Sequence, residues 1–245
     1  MIDLLQLGQR AKELLKNTHD LGLSIDLETP SSRGTGIFSV GIVPFSEERN
    51  EVYEELALYV RFDFTQVIDA GDFSAGTLRW WMMQDSAARM EIIHTEVVQT
   101  EVANRRIEKC LERMDYKDGL QLVLEYCYML KKCARVDANL YPLGNGKEFD
   151  VRILEDTWIK HGLIPQNWKA EYEFPWKFWD ALDLRERVKD VRLATGEKVK
   201  NLVKREGTHH NAVDDALYQA RVYVKGAQLL DEARTLYKKN KEESK

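Results

Sequence analysis

Apolar and polar positions alternate over residues 21–28, with Leu21, Leu23, Ile25 and Leu27 set against Gly22, Ser24, Asp26 and Glu28. A period of two predicts a strand whose successive side chains point to opposite faces. Asp26 and Glu28 therefore project together. A turn-rich stretch follows, with Pro30, Gly34 and Gly36 inside residues 29–36. Residues 37–43 predict a second strand. Residues 51–62 predict a third, carrying Tyr53, Leu56, Leu58, Val60 and Phe62. Three successive strands describe an antiparallel meander, with the acidic pair at the end of its first strand.

Helical periods take over elsewhere. Leu4, Leu7, Ala11 and Leu14 line one face over residues 2–16. Ser74 or Thr77 starts a helix with Leu78, Trp81 and Met82, and residues 86–114 continue as one or two charged helices. Asp118 and Gly119 open another helix that runs to Arg135. Residues 139–143 form a short apolar run, broken sharply by Gly144, Asn145 and Gly146. Phe149, Ile153 and Leu154 then recur at helical spacing, so Asp150 sits near a helix N-terminus at the exit of a strand. Ala212, Val213, Ala216, Leu217, Ala220, Val224 and Ala227 form the stripe of a last helix, which turns Lys- and Glu-rich after Leu236.

Composition narrows the class. With 245 residues, 44% of them hydrophobic, the chain can bury a full core in one domain with additions. The expected division is an N-terminal helical extension over 1–19, a main domain over 20–232 and a charged tail over 233–245. No run is long enough to span a membrane, and Asp3 and Arg10 interrupt the N-terminal apolar pattern, so no secretory signal is expected. Cys110, Cys127 and Cys133 lack metal-ligand spacing and read as reduced core thiols of a cytoplasmic protein. A net charge of −5 argues against a surface that coats duplex nucleic acid. Residues 185–205 are the exception: Arg185, Arg187, Lys189, Arg192, Lys198, Lys200, Lys204 and Arg205 outweigh Glu186, Asp190 and Glu197, for a local +5. That stretch is either a solvated helix pair or a path for a polyanion, and it leads directly to His210.

The chemistry concentrates in a few polar residues. Two carboxylates on one strand face repel unless a cation lies between them, and hard Mg²⁺ or Mn²⁺ suits that gap. Asp150 at a helix start joins backbone N–H groups that favour anions. His210 lies just ahead of the last helix and Asp215 one turn inside it, which suits a proton acceptor beside a further metal ligand. Asp214 competes with Asp215 for that role, and the motif spacing selects Asp215. Each piece has a plainer reading: a solvated strand face, an acidic first helical turn, and a helix capped by His209 or Asn211.

Taken together, Asp26-x-Glu28, then Asp150, then His210 five residues ahead of Asp215 resemble the DEDDh 3′–5′ exonucleases of the ribonuclease H-like superfamily. Gly144, Asn145 and Gly146 ahead of Phe149 and Asp150 resemble the branch of phage exonucleases and bacterial 3′–5′ exoribonucleases. So does Thr77, Leu78, Arg79, Trp80, Trp81 followed by Gln84, Ala88 and Arg89. The resemblance implies an α/β fold, a ribonuclease H-like mixed sheet flanked by helices, with extra N-terminal and central helices. It implies two divalent cations, Mg²⁺ or Mn²⁺, held by Asp26, Glu28, Asp150 and Asp215, with His210 as general base. The expected substrate is single-stranded DNA or RNA with a free 3′ end, and the phage-like look tilts the expectation toward DNA. Thr29 matches the position that meets the terminal sugar. Phe38 and Phe149 lie beside the motifs, placed either for the terminal base or as core residues, and Asn145 completes the substrate-contacting set. The helical additions offer surfaces for a homodimer. The competing reading is a catalytically weak binding or structural subunit of a replication or RNA-processing assembly.

Overall fold

The computed structural model describes residues 4–70, 73–93, 113–165 and 174–244. The expected strand at the start forms β1 (Asp20–Glu28), the middle of the sheet. It pairs antiparallel with β2 (Ser39–Ser46), Asp26 opposite Gly41 and Glu28 opposite Ser39. On its other side it runs parallel to β5 (Asn139–Gly144), which in turn runs parallel to β6 (Leu182–Asp183). The far edge of β2 carries both β3 (Glu51–Val52) and β4 (Leu58–Arg61). This is a mixed sheet flanked by helices, as expected for the α/β class.

The third strand differs from its expectation. The single run over 51–62 is split by a 3-10 turn at Glu54–Leu56. Tyr53 donates its backbone N–H to Pro44 at 2.9 Å, and Leu56 then turns into the core while its carbonyl accepts the Tyr126 hydroxyl. Apolar residues at 53, 56 and 58 suit either path, so the pattern alone does not reveal the break.

The period of two in β1 sorts the molecule into two cores. Leu21, Leu23, Ile25 and Leu27 join α1 (Leu4–Leu15), α5 (Tyr116–Cys133) and α6 (Asp150–Lys160) in the larger one. The opposite face, which carries Asp26 and Glu28, lies under α7 (Leu184–Thr195) and the first half of α8 (Ala212–Glu243). Val43, Phe45, Leu184, Val191, Ala216 and Ala220 build that second core. Gly41 sets the approach of α8: a Cβ there would stand 2.1 Å from the Ala212 carbonyl oxygen. Along the chain, α2 (Phe64–Asp69), α3 (Ala75–Met82) and α4 (Ser86–Ile93) follow β4 and precede α5.

The N-terminal helix packs its Ala11 and Leu15 into the core, and α8 runs unbroken to Glu243 with its last turns exposed. Cys127 and Cys133 are buried free thiols; Cys110 and Trp168 lie outside the described residues. Among the described residues, no helix is long and apolar enough to cross a membrane.

Candidate active site

β5 pairs with β1 only as far as Ser24, so the last residues of β1 extend beyond their parallel neighbour. The chain leaves β5 through Asn145 and Gly146, and α6 begins at once with Asp150. Its carboxylate takes the place of the missing strand, accepting the backbone N–H of Leu27 at 3.3 Å and that of Asn145 at 3.1 Å. The second motif is thereby bonded to the backbone of the first.

The third motif arrives from the other side. Asn211 caps α8, its side-chain oxygen accepting the Asp214 N–H at 3.3 Å while its amide donates to the Tyr59 hydroxyl at 3.1 Å. Asp214 turns back and accepts the Thr208 N–H at 2.8 Å. Gly207, at φ +80°, makes room for it, since a Cβ there would lie 2.3 Å from the Asp214 carboxyl carbon. That leaves Asp215 as the carboxylate facing the cleft. His210 adopts φ +64°, uncommon for a residue with a side chain, and donates its N–H to Asp215 at 3.3 Å.

Asp26, Glu28, Asp150, His210 and Asp215 line one cleft of about 350 Å³, together with Asn145 and Phe149. Oxygens of Asp26, Glu28 and Asp215 all lie within 4.8 Å of one another. His210 Nδ1 stands 3.8 Å from Glu28 Oε1. Two of the expected substrate contacts are placed elsewhere. Phe38 is 1% exposed and stacks on Phe64 at 5.4 Å, as a core residue behind the strand. Thr29 is buried with its hydroxyl donated to the Ser31 carbonyl at 2.8 Å and its own carbonyl taken by the Trp81 indole at 2.9 Å. Both follow the strand end closely in sequence but turn away from the cleft.

The electrostatics follow from crowding like charges in a buried place. Burial, and then the charge of Asp150, hold the Asp26 carboxyl well above the usual range; the Gln219 amide, which donates to it at 2.6 Å, and Arg205 pull the other way. Burial also raises Asp150 to about 7, against the opposing pull of its backbone donors and Arg185. His210 is pushed down to about 4, by burial first and then by His209 and Arg205, so its imidazole is neutral at physiological pH. Carboxylates that would rather hold protons than lie charged side by side are a donor set suited to hard divalent cations. Asp26, Glu28 and Asp215 converge closely enough that they could hold one such ion, and Asp150 reaches the same cleft.

One contributor, Gln219, was not singled out from the sequence, whereas Arg185, Lys200 and Arg205 belong to the basic stretch over 185–205. Gln219 lies four residues after Asp215 on α8, so the helical repeat places both on one face, and that spacing was a readable signal. Arg205 forms an ion pair with Asp215 and lies over the Tyr218 ring at 4.9 Å. That contact bridges a loop and has no local signature. Arg185 and Lys200 complete the basic wall of the cleft.

No curated protein sequence matches the chain. Among solved structures, Pop2p of S. pombe in its Mg²⁺- and Mn²⁺-bound form is similar at 13% identity and a TM-score of 0.45, over 91% of this chain and 88% of that one. The 3′–5′ exoribonuclease Rv2179c-like domain matches residues 22–225, from the third residue of β1 through the first half of α8. The chain belongs to the Rv2179c-like 3′–5′ exoribonuclease domain family.

Proposed function

We propose that the chain removes nucleotides one at a time from the 3′ end of single-stranded RNA, releasing nucleoside monophosphates. The observation that carries this reading is the convergence of Asp26, Glu28, Asp150, Asp215 and His210 on one cleft. The description of the family as exoribonucleases moves the sugar preference from DNA, toward which the sequence leaned, to RNA.

The four carboxylates hold two divalent cations, Mg²⁺ or Mn²⁺. When bound, such ions neutralise the scissile phosphate and make water a better nucleophile at neutral pH. The chain's own residues do the rest. His210 accepts the proton of the attacking water at Nδ1, the nitrogen that faces Glu28. Its neutral state at physiological pH leaves that nitrogen open to a proton. Asn145 and Phe149, which line the same cleft, bound the space for the terminal nucleotide. Arg185, Lys200 and Arg205 attract the phosphates. Lys200 is already pushed down, by burial first and then by Arg185 and Arg205, a sign of positive charge crowded enough to welcome an anion.

The test is a cleavage time course on 5′-labelled single-stranded RNA and DNA of matched sequence, with Mg²⁺, with Mn²⁺ and with chelator. A ladder shortening from the 3′ end of RNA, absent in chelator and in Asp26→Asn, is the expected result. A faster ladder on DNA would reverse the sugar preference. No cleavage of either substrate would sink the enzymatic reading.

A further inference from the structure

A histidine acting as a base is usually oriented by a hydrogen bond from its second ring nitrogen to a carboxylate or carbonyl. Among the described residues, no such bond holds the imidazole of His210; its nearest carboxylate oxygen is Glu28 Oε1, at 3.8 Å. Aromatic rings surround it instead. Trp80 lies at 4.9 Å and Trp81 at 5.7 Å between ring centroids, both edge-on, with interplanar angles of 87° and 74°. His209 adds a third edge-on ring at 4.1 Å. Trp80 and Trp81 also meet each other edge-on at 4.9 Å.

This aromatic wall is tied to the strand that bears the carboxylates. The Trp81 indole N–H donates to the carbonyl of Thr29, the residue directly after Glu28, at 2.9 Å. Ser74, the cap of α3, donates its N–H to the Pro30 carbonyl at 3.1 Å. The helix carrying both tryptophans is therefore clasped at two points to the chain that leaves β1. The His210 backbone lies in the left-handed region, and its ring is bordered by this aromatic wall.

We propose that Trp80 and Trp81 are positioning residues for His210, with the Trp81–Thr29 bond as the tether that keeps the base in register with the carboxylates of β1. The inference rests on the reading of His210 as the general base. It assigns the tryptophan pair to orientation of the base rather than to stacking on a nucleobase. Edge-on aromatic pairs are favourable, so removing one of these walls should slow turnover by up to about 10-fold.

The experiment is a double-mutant cycle on the full chain with Mn²⁺ and single-stranded RNA. Trp81→Phe keeps a ring and removes the tether; Trp80→Ala removes a ring that is 44% exposed and so tests the wall without emptying the core. Each variant should lower kcat by up to about 10-fold at nearly unchanged KM, and should have no further effect in the His210→Ala background. In the metal-free protein, the His210 ring proton signals, assigned by their loss in His210→Ala, should shift in both variants as the ring currents of the indoles are removed. Additive losses in the cycle, unchanged His210 signals, or a raised KM with full kcat would each overturn the positioning role. The last of these would mark the tryptophans as a substrate wall. Full turnover in His210→Ala would instead overturn the base assignment, and the positioning role with it.

Discussion

At the scale of residues, the site is governed by the discomfort of its carboxylates. Asp150 is raised to about 7 by burial, while an exposed aspartate in the unfolded chain titrates near 3.9. Between those values the folded protein binds more protons than the unfolded one, so its stability falls as pH rises. The metal-free protein should therefore melt higher at pH 5 than at pH 7. Asp150→Asn should flatten that difference and raise the melting temperature at pH 7, as read by thermal unfolding in chelator. Asp26 and Arg185 face the same carboxylate and set the slope with it. The same substitution, like Asp26→Asn, Glu28→Gln or Asp215→Asn, should lower the cleavage rate by about 10²–10³-fold. A variant that loses both stability and activity would be a structural residue instead. The carboxylates that line the cleft were legible in the sequence because each sits at a fixed offset within its own element: two positions apart on a strand, first in a helix, or one turn into a helix. Thr29 and Phe38 were misplaced because sequence proximity to Glu28 says nothing about direction once the strand ends. Their hydroxyl and ring are spent on Ser31 and Phe64.

At the scale of elements, α8 delivers Asp215 and Gln219 onto the strand face that carries Asp26 and Glu28. The close approach at Gly41 makes that delivery accurate. Gly41→Ala should push the start of α8 outward. The expected cost is about 1–3 kcal/mol in unfolding free energy. The kcat should fall more than that instability alone explains at a temperature where the variant is folded. Chemical denaturation paired with single-turnover cleavage checks both, and an active, equally stable variant would refute the role assigned to the glycine. The elements themselves were largely readable: the alternation of β1, the stripe of α8 and the Ser74 start of α3 all reflect local periods and caps. The split of residues 51–62 was not, because the turn at Glu54–Leu56 is chosen by the burial of Leu56 under Tyr126, a partner distant in sequence. The start of α5 at Tyr116, under the cap of Asp115, likewise precedes the expected Asp118 by less than one turn.

At the scale of the whole molecule, a net charge of −5 is combined with a basic wall confined to one cleft. Such a protein should hold only the last few phosphates of its substrate. Arg185→Ala and Lys200→Ala should raise KM with little change in kcat. Each should also reduce the slope of log affinity against log salt by about 0.7 for single strands, as measured by binding of a short labelled RNA in chelator. An unchanged salt slope would place the phosphates elsewhere.

The early end of β5 has one more consequence. A strand margin with open backbone groups is a template for another polypeptide, and proteins guard such margins to avoid fibrous self-association. Here the guard is Asp150, whose side chain occupies the Leu27 amide. One carboxylate thus serves chemistry and solubility together. A shortened side chain at position 150 should leave a protein that is inert and also sticky, with light scattering rising at concentrations where the native chain stays clear. Drift at this position in related chains would then be limited by two independent penalties, and a chain that had lost its activity would still have reason to keep an acceptor there.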